Sequence, residues 1–254
     1  MLPLRRCGLI CSALVIGSIA PDFEYFFGLA RPASHSMPGI VTFTFPLALA
    51  LLVVFHALLK WPSISLLPSG LQARLIGPAR RFRWFPASRF LLILLSLATG
   101  IVTHILLDEF THPDSWAVLH SAALRTMVPV PAHPPMPMHA VLWSGTTVVG
   151  VLALAICSAF WYRRATAESV VLRPQFSAVV KWTILSFMLV TAVVLGYVNE
   201  AAWYGQLFRG ASQRVRFVSV FAISATTVAA VELFGFSVIW QTFLARGETV
   251  PDRP

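Results

Sequence analysis

The stretch FLLILLSLATGIVTHILLDEFTH, residues 90–112, decides the fold of this chain. From Phe90 to Leu107 the only ionisable side chain is His104, and a helix of this length can cross a hydrocarbon core of about 30 Å. Similar apolar runs recur along the chain, and a shorter one stands near its start. The predicted spans are residues 7–27, 40–59, 90–108, 140–162, 182–200 and 217–244. The sequence therefore predicts an all-α, polytopic membrane protein of about six transmembrane helices, with residues 1–254 forming one integral membrane domain.

The composition agrees with this fold class. Of the 254 residues, 57% are hydrophobic and 11% are charged, against roughly 25% charged residues in an ordinary soluble domain. These values exclude a disordered chain and argue strongly against a soluble enzyme. The net charge of +9 is best explained by sorting of cations across a bilayer, so no nucleic-acid partner is expected. The three cysteines lie in apolar runs, which argues against a disulfide framework or a cysteine metal site.

The distribution of Lys and Arg predicts the orientation. With six spans, 14 of the 19 cations fall on the side that holds both termini, which is therefore expected to be cytoplasmic, in a cell inner membrane. The first run has a second interpretation as a cleaved signal peptide, because Arg5-Arg6 precede it and Ser18-Ile19-Ala20 follow. The basic segment 64–89 is expected either to lie along the inner leaflet or to form a solvated loop.

Three ionisable residues near the end of the third span share a helical stripe. His104, Asp108 and His112 are spaced i, i+4 and i+8, so they drift only about 40° per step around a helix. Imidazole and carboxylate groups are the ligands that hold Zn²⁺ or Mn²⁺ in proteins. Pro113 disfavours helical geometry at His112, so the helix is expected to end there.

The predicted topology brings further polar residues to the same side of the membrane. Asp22 and Glu24 follow the outer end of the first span, and His35 and Ser36 lie in the first outer loop. Because ionisable residues at membrane depth are functional candidates, the sequence predicts a metal or acid–base site at the outer face. The alternative interpretation is that each polar residue lies at a helix end only because that end is in contact with water. Glu232, near the middle of the last span, is either part of a transport path or a hydrogen-bonded structural residue.

Three sequence elements resemble a known family. The elements LVIGSIAPDFEYFF (14–27), SHS (34–36) and THILLDEFTH (103–112) resemble the DUF4184 family of bacterial membrane proteins, which is itself similar to YdjM-type inner-membrane proteins labelled metal-dependent hydrolases. The residues that match the YdjM-type motifs are Pro21, Asp22, Glu24, His35, Ser36, His104, Asp108 and Thr111. The resemblance implies a further upstream segment with one more histidine, and Glu24-Tyr25 stand where the YdjM-type proteins have Asp-His.

The leading functional hypothesis is a metal-dependent hydrolase that acts on a lipid or lipid-linked ester or phosphoester at the extracytoplasmic face. A divalent metal, Zn or Mn, is predicted to be held by Asp22, His35, His104 and Asp108. Glu24 is the predicted general base, and His112 is predicted to be a further ligand or to protonate the leaving group. The alternatives are a non-catalytic membrane protein with a structural or sensory cluster, and a small transporter that uses Glu232.

Overall fold

The computed structural model describes residues 8–27, 32–131, 133–169, 175–198 and 213–244, and these residues are overwhelmingly helical. The long helices are α1 (Cys11–Ile19), α2 (Met37–Leu66), α3 (Ser69–Arg80), α4 (Ala87–Thr111), α5 (Met138–Arg164), α6 (Ala178–Val198) and α7 (Gln213–Ile239). Short helical segments are Pro21–Phe27, Pro32–His35, Trp116–His120 and Ala122–Arg125. An antiparallel hairpin joins β1 (Met127–Val130) to β2 (His133–Pro137). Two π-helical stretches, Ile40–Thr44 and Phe55–Leu59, interrupt α2, and a third, Trp240–Leu244, extends α7.

Among the described residues, five helical runs are long and apolar enough to cross a membrane. They are Met37–Leu66, Ala87–His120, Met138–Arg164, Ala178–Val198 and Val220–Phe243. This finding confirms the predicted all-α, polytopic membrane protein. The predicted first span differs, because α1 has only 9 residues and a 3-10 segment follows it. Residue 7 of that span and residues 199 and 200 of the fifth lie outside the described residues. The six-span topology and the cytoplasmic termini stay predictions.

The chain divides into two compact units. The first unit comprises Met1–Pro21, Ile40–Ala48 and Trp84–Ala165. The second unit comprises Asp22–Gly39, Leu49–Arg83 and Thr166–Pro254.

The first unit is built on a close crossing of α1 and α4. A Cβ atom added at Gly17 would collide with the backbone of Leu97, and one added at Gly100 would collide with the backbone of Leu14. Small residues of this kind let two membrane helices approach until their backbones touch. The start of α1 is fixed as well, since the Ser96 hydroxyl accepts a hydrogen bond of 2.9 Å from the Ile10 backbone amide. The crossing therefore holds the middle of α4 against the first helix.

The second unit contains a packed pair of helices, α6 and α7. Gly196 lies against Ala225, where an added Cβ would be 2.9 Å from the alanine Cβ. The described polar contact between the two helices is a short hydrogen bond from the Thr191 hydroxyl to Oε1 of Glu232. Within the described part of the chain, Oε2 of Glu232 is buried and has no hydrogen-bond partner. The contact therefore satisfies half of a carboxyl group that lies within an apolar span.

We expect Thr191→Val to lower the free energy of unfolding by about 1 kcal/mol, because both oxygens of Glu232 then lack a donor. Chemical unfolding in detergent micelles measures the change. The matched control is Thr226→Val, since among the described residues the Thr226 hydroxyl donates to the Ala222 carbonyl of its own helix and to no group of α6. Equal losses in the two variants would show that the contact with Glu232 adds nothing to the packing of α6 on α7.

Candidate functional site

The carboxyl end of α4 carries a carboxylate placed between two imidazoles. Oδ2 of Asp108 lies 3.4 Å from Nε2 of His104, and Oδ1 lies 3.4 Å from Nδ1 of His112. The Asp108 side chain is buried, and the two histidines are partly buried. The stripe predicted from the i, i+4, i+8 spacing is therefore present, and each oxygen of the central carboxylate faces a different ring.

The end of α4 positions His112. The helix ends at Thr111, and His112 has extended backbone angles of φ −99° and ψ 136°, as Pro113 predicts. Ser115 then fixes the turn, because its hydroxyl donates to the His112 carbonyl at 2.8 Å and accepts from the Val118 amide at the next helix start. The backbone N–H of His112 still donates a hydrogen bond of 3.0 Å to the Asp108 carbonyl, so the His112 ring stays beside Asp108 after the helix has ended.

The second unit holds its own polar group around Glu24. The Glu24 side chain is fully buried, and its Oε2 accepts a short hydrogen bond from the Ser34 hydroxyl. The Ser34 oxygen lies 2.6 Å from Nδ1 of His35, and that nitrogen is 3.7 Å from Oε2 of Glu24. Among the described residues, Oε1 of Glu24 has no hydrogen-bond partner. In the short helix Pro32–His35, the His35 ring therefore contacts Ser34, and Ser34 in turn contacts the Glu24 carboxylate.

The hydrogen bonds of this group favour one tautomer of His35. When the Ser34 hydroxyl donates its proton to Glu24, the serine oxygen is free to accept from Nδ1 of His35. That arrangement places the ring proton on Nδ1 and leaves the lone pair on Nε2. A carboxylate that fixes a histidine tautomer in this way is the usual outer support of a metal-binding imidazole. Sequence reasoning missed Ser34, although it directly precedes His35 in the SHS element.

A possible metal-binding cluster can be identified from the donor types. Asp22 and His35 in the second unit, and His104 and Asp108 in the first, are the imidazole and carboxylate groups of the described residues that could serve as metal ligands. Mixed nitrogen and oxygen donors suit Zn²⁺ or Mn²⁺. The spacing within α4 also fits, because two ligands at about 2.1 Å from a tetrahedral ion lie about 3.4 Å apart, which is the separation of His104 Nε2 and Asp108 Oδ2.

The other predicted residues occupy supporting or separate positions. Ser36 accepts a hydrogen bond of 3.2 Å from the Gly39 amide at the start of α2. Thr111 donates to the Leu107 carbonyl at 3.0 Å, and its own carbonyl lies 3.3 Å from Nδ1 of His139. Glu232 belongs to the α6–α7 pair, and its described partner is Thr191. The side chains of Ser36 and Thr111 thus form hydrogen bonds with nearby backbone groups.

The apolar helices and the imidazole–carboxylate cluster define a polytopic α-helical membrane protein with a possible metal-binding site. The chain belongs to the DUF4184 family, a domain of unknown function whose model matches residues 1–237. The matched range includes every residue of the cluster, the first four apolar helical runs in full and the fifth as far as residue 237. Neither a curated protein nor a solved structure matches the chain.

Proposed function

We propose that the protein is a metal-dependent hydrolase of the membrane that cleaves a lipid or lipid-linked ester or phosphoester. The observation that carries the proposal is the Asp108 carboxylate, whose two oxygens each lie 3.4 Å from an imidazole nitrogen at the end of an apolar helix. Such groups are costly beside hydrocarbon and are retained there for function. The resemblance to YdjM-type proteins expected from the sequence is a second reason for proposing this activity.

In this proposal one divalent cation is shared by Asp22, His35, His104 and Asp108. A bound divalent cation lowers the pKa of water and polarises a carbonyl or phosphoryl oxygen. Glu24 is fully buried, so the proposal gives it a positioning role for His35 through Ser34, in place of the general base expected from the sequence. His112 is more exposed than Asp108 and is the group that would protonate the leaving oxygen.

The proposed location follows from the apolar helices and the distribution of cations. The substrate would reach the cluster from the bilayer, because residues near the end of a spanning helix lie at the level of lipid headgroups. We propose the outer face of a bacterial inner membrane, with both termini in the cytoplasm, since 14 of the 19 Lys and Arg residues fall on the side of the termini. Membrane lipids or lipid-linked molecules are therefore the proposed partners.

The activity is tested by incubating purified protein, supplied with Zn²⁺ or Mn²⁺, with a bacterial lipid extract and following the products by mass spectrometry. We expect wild type to release a headgroup or an acyl chain and His104→Ala to release neither. His120→Ala is the matched control, because the exposed His120 ring stacks on Trp116 outside the cluster. Metal binding without any lipid turnover would favour the alternative of a structural or sensory cluster.

We expect Ser34→Ala to weaken metal binding by about 10- to 100-fold, because His35 then loses the support that fixes its tautomer. A competition titration with a chromophoric chelator measures the affinity. The control is Ser18→Ala, since in the described part of the chain the Ser18 hydroxyl donates to the Val15 carbonyl of its own helix. An unchanged affinity in Ser34→Ala would remove the positioning role of Glu24 and Ser34 from the proposal.

The transporter alternative rests on the half-satisfied carboxyl of Glu232. Its Oε1 accepts from Thr191 while Oε2 has no described partner, which is an arrangement that a proton or cation in transit could use. Reconstituted vesicles with an internal pH dye measure proton flux. Flux that is present in wild type and absent in Glu232→Gln would support this alternative, and absence of flux in both would leave Glu232 as a packing residue.

A further inference from the structure

A buried lysine lies at the start of α6, in a cavity of the second unit. Lys181 is 9% exposed, and its Nζ donates a hydrogen bond of 3.0 Å to the Leu67 carbonyl. Among the described residues, no carboxylate pairs with this ammonium group. A buried charge whose described partner is one neutral carbonyl is costly, and an anion beside it removes most of that cost.

The cavity beside Lys181 has room for such an anion. Its volume is about 290 Å³, and a water molecule in the liquid takes up roughly 30 Å³. The lining combines polar groups of α3, at Ser69 and Gln72, with the apolar surfaces of Trp182 and Leu185 on α6. The polar wall includes the first turn of α3, which has no side-chain cap, so its backbone amides add positive potential.

The cavity adjoins a more open depression on α6. A second cavity shares Ala178 and Trp182 with the first and extends to Thr183 and Ser186. Trp182 is largely exposed at the start of an apolar span, the level at which indole rings meet lipid headgroups. A ligand with a phosphate at one end and an apolar chain at the other therefore fits both parts.

The surrounding charge favours an anionic lipid over a zwitterionic one. Residues 49–83 of the second unit contain no Asp or Glu, and they carry five cations: Lys60, Arg74, Arg80, Arg81 and Arg83. The Glu168 carboxylate lies against Gly77 of α3, but Glu168 does not line the cavity. A positive field of this kind attracts the anionic lipids of a bilayer.

We propose that the cavity at Lys181 binds the phosphate of an anionic phospholipid, with one acyl chain along α6. The site is separate from the imidazole–carboxylate cluster and does not depend on hydrolysis. The Lys181 ammonium pairs with the phosphate, the first turn of α3 contributes backbone N–H groups, and Trp182 and Leu185 contact the glycerol and the upper chain.

The test is native mass spectrometry of the full chain, titrated with phosphatidylglycerol, with phosphatidylcholine and with inorganic phosphate. We expect phosphatidylglycerol to bind more tightly than phosphatidylcholine, and Lys181→Gln to weaken its binding by about tenfold or more. Lys181→Arg should stay within about threefold of wild type. Arg163→Gln, which removes one exposed cation from α5, should have no effect.

Leu185→Trp keeps the lysine and fills the apolar part of the cavity, so it should also weaken phosphatidylglycerol binding without removing a charge. This variant keeps the test decisive if Lys181→Gln does not fold. Equal affinity of wild type and Leu185→Trp would overturn the proposal, as would equal affinity for the two lipids. Inorganic phosphate that displaces phosphatidylglycerol at equal concentration would mark a site for soluble anions and would overturn the assignment to a lipid.

Discussion

Purified Asp108→Ala protein is expected to bind Zn²⁺ or Mn²⁺ at least about a hundredfold more weakly than wild type. Removing an outer support of a metal ligand already costs about 10- to 100-fold in affinity, and Asp108 is a proposed ligand itself. The loss of affinity should be larger than that caused by removing one such support, because Asp108 also lies between the His104 and His112 rings. Each of its two oxygens is 3.4 Å from a nitrogen of one ring. Elemental analysis of the protein after dialysis measures the bound metal.

The control for this variant is Asp114→Ala. Asp114 is exposed in the turn after α4, and its removal changes the net charge by the same amount. We expect this variant to keep the metal content and the lipid turnover of wild type. Equal metal content in Asp108→Ala and Asp114→Ala would contradict the assignment of Asp108 as a ligand.

The second large effect concerns the crossing of α1 and α4. We expect Gly100→Leu to lower the free energy of unfolding by about 3 kcal/mol, because its Cβ would occupy the position of backbone atoms of Leu14 and Ser18. These atoms belong to a helix backbone and cannot move aside as a flexible side chain can. Thermal unfolding in detergent, followed by circular dichroism, measures the loss.

Gly150→Leu is the matched control for the helix crossing. It places the same side chain in an apolar helix, but among the described residues nothing outside that helix lies within 4 Å of the position of its Cβ. We expect a change below about 0.5 kcal/mol. If the two leucine variants unfold at the same temperature, the backbones of α1 and α4 are not in contact at Gly100.

The sequence allowed the five long apolar helices and the end of α4 to be predicted because their causes are local. Long apolar runs need only length and composition, and Pro113 acts on the residue directly before it. The cluster residues could be proposed because His and carboxylate side chains are rare in apolar surroundings, so each stands out without knowledge of the fold.

The supporting contacts could not be predicted because they depend on distant parts of the chain. Ser34 gains its role only from the approach of Glu24, ten residues earlier in the sequence, and serine is common near helix starts for other reasons. Gly17 and Gly100 are two of 14 glycines, and only the path of the partner helix distinguishes them from the uncrowded Gly145. The hydrogen bond between Thr191 and Glu232 likewise could not be predicted, because it depends on how the residues of α6 align with those of α7.

We propose that one divalent cation is shared by two pairs of ligands, Asp22 with His35 and His104 with Asp108. Titration with Mn²⁺, followed by electron paramagnetic resonance, counts the bound ions directly. We expect one tightly bound ion per wild-type chain and none in either double variant, Asp22→Ala/His35→Ala or His104→Ala/Asp108→Ala. A tightly bound ion that persists in either double variant would contradict it.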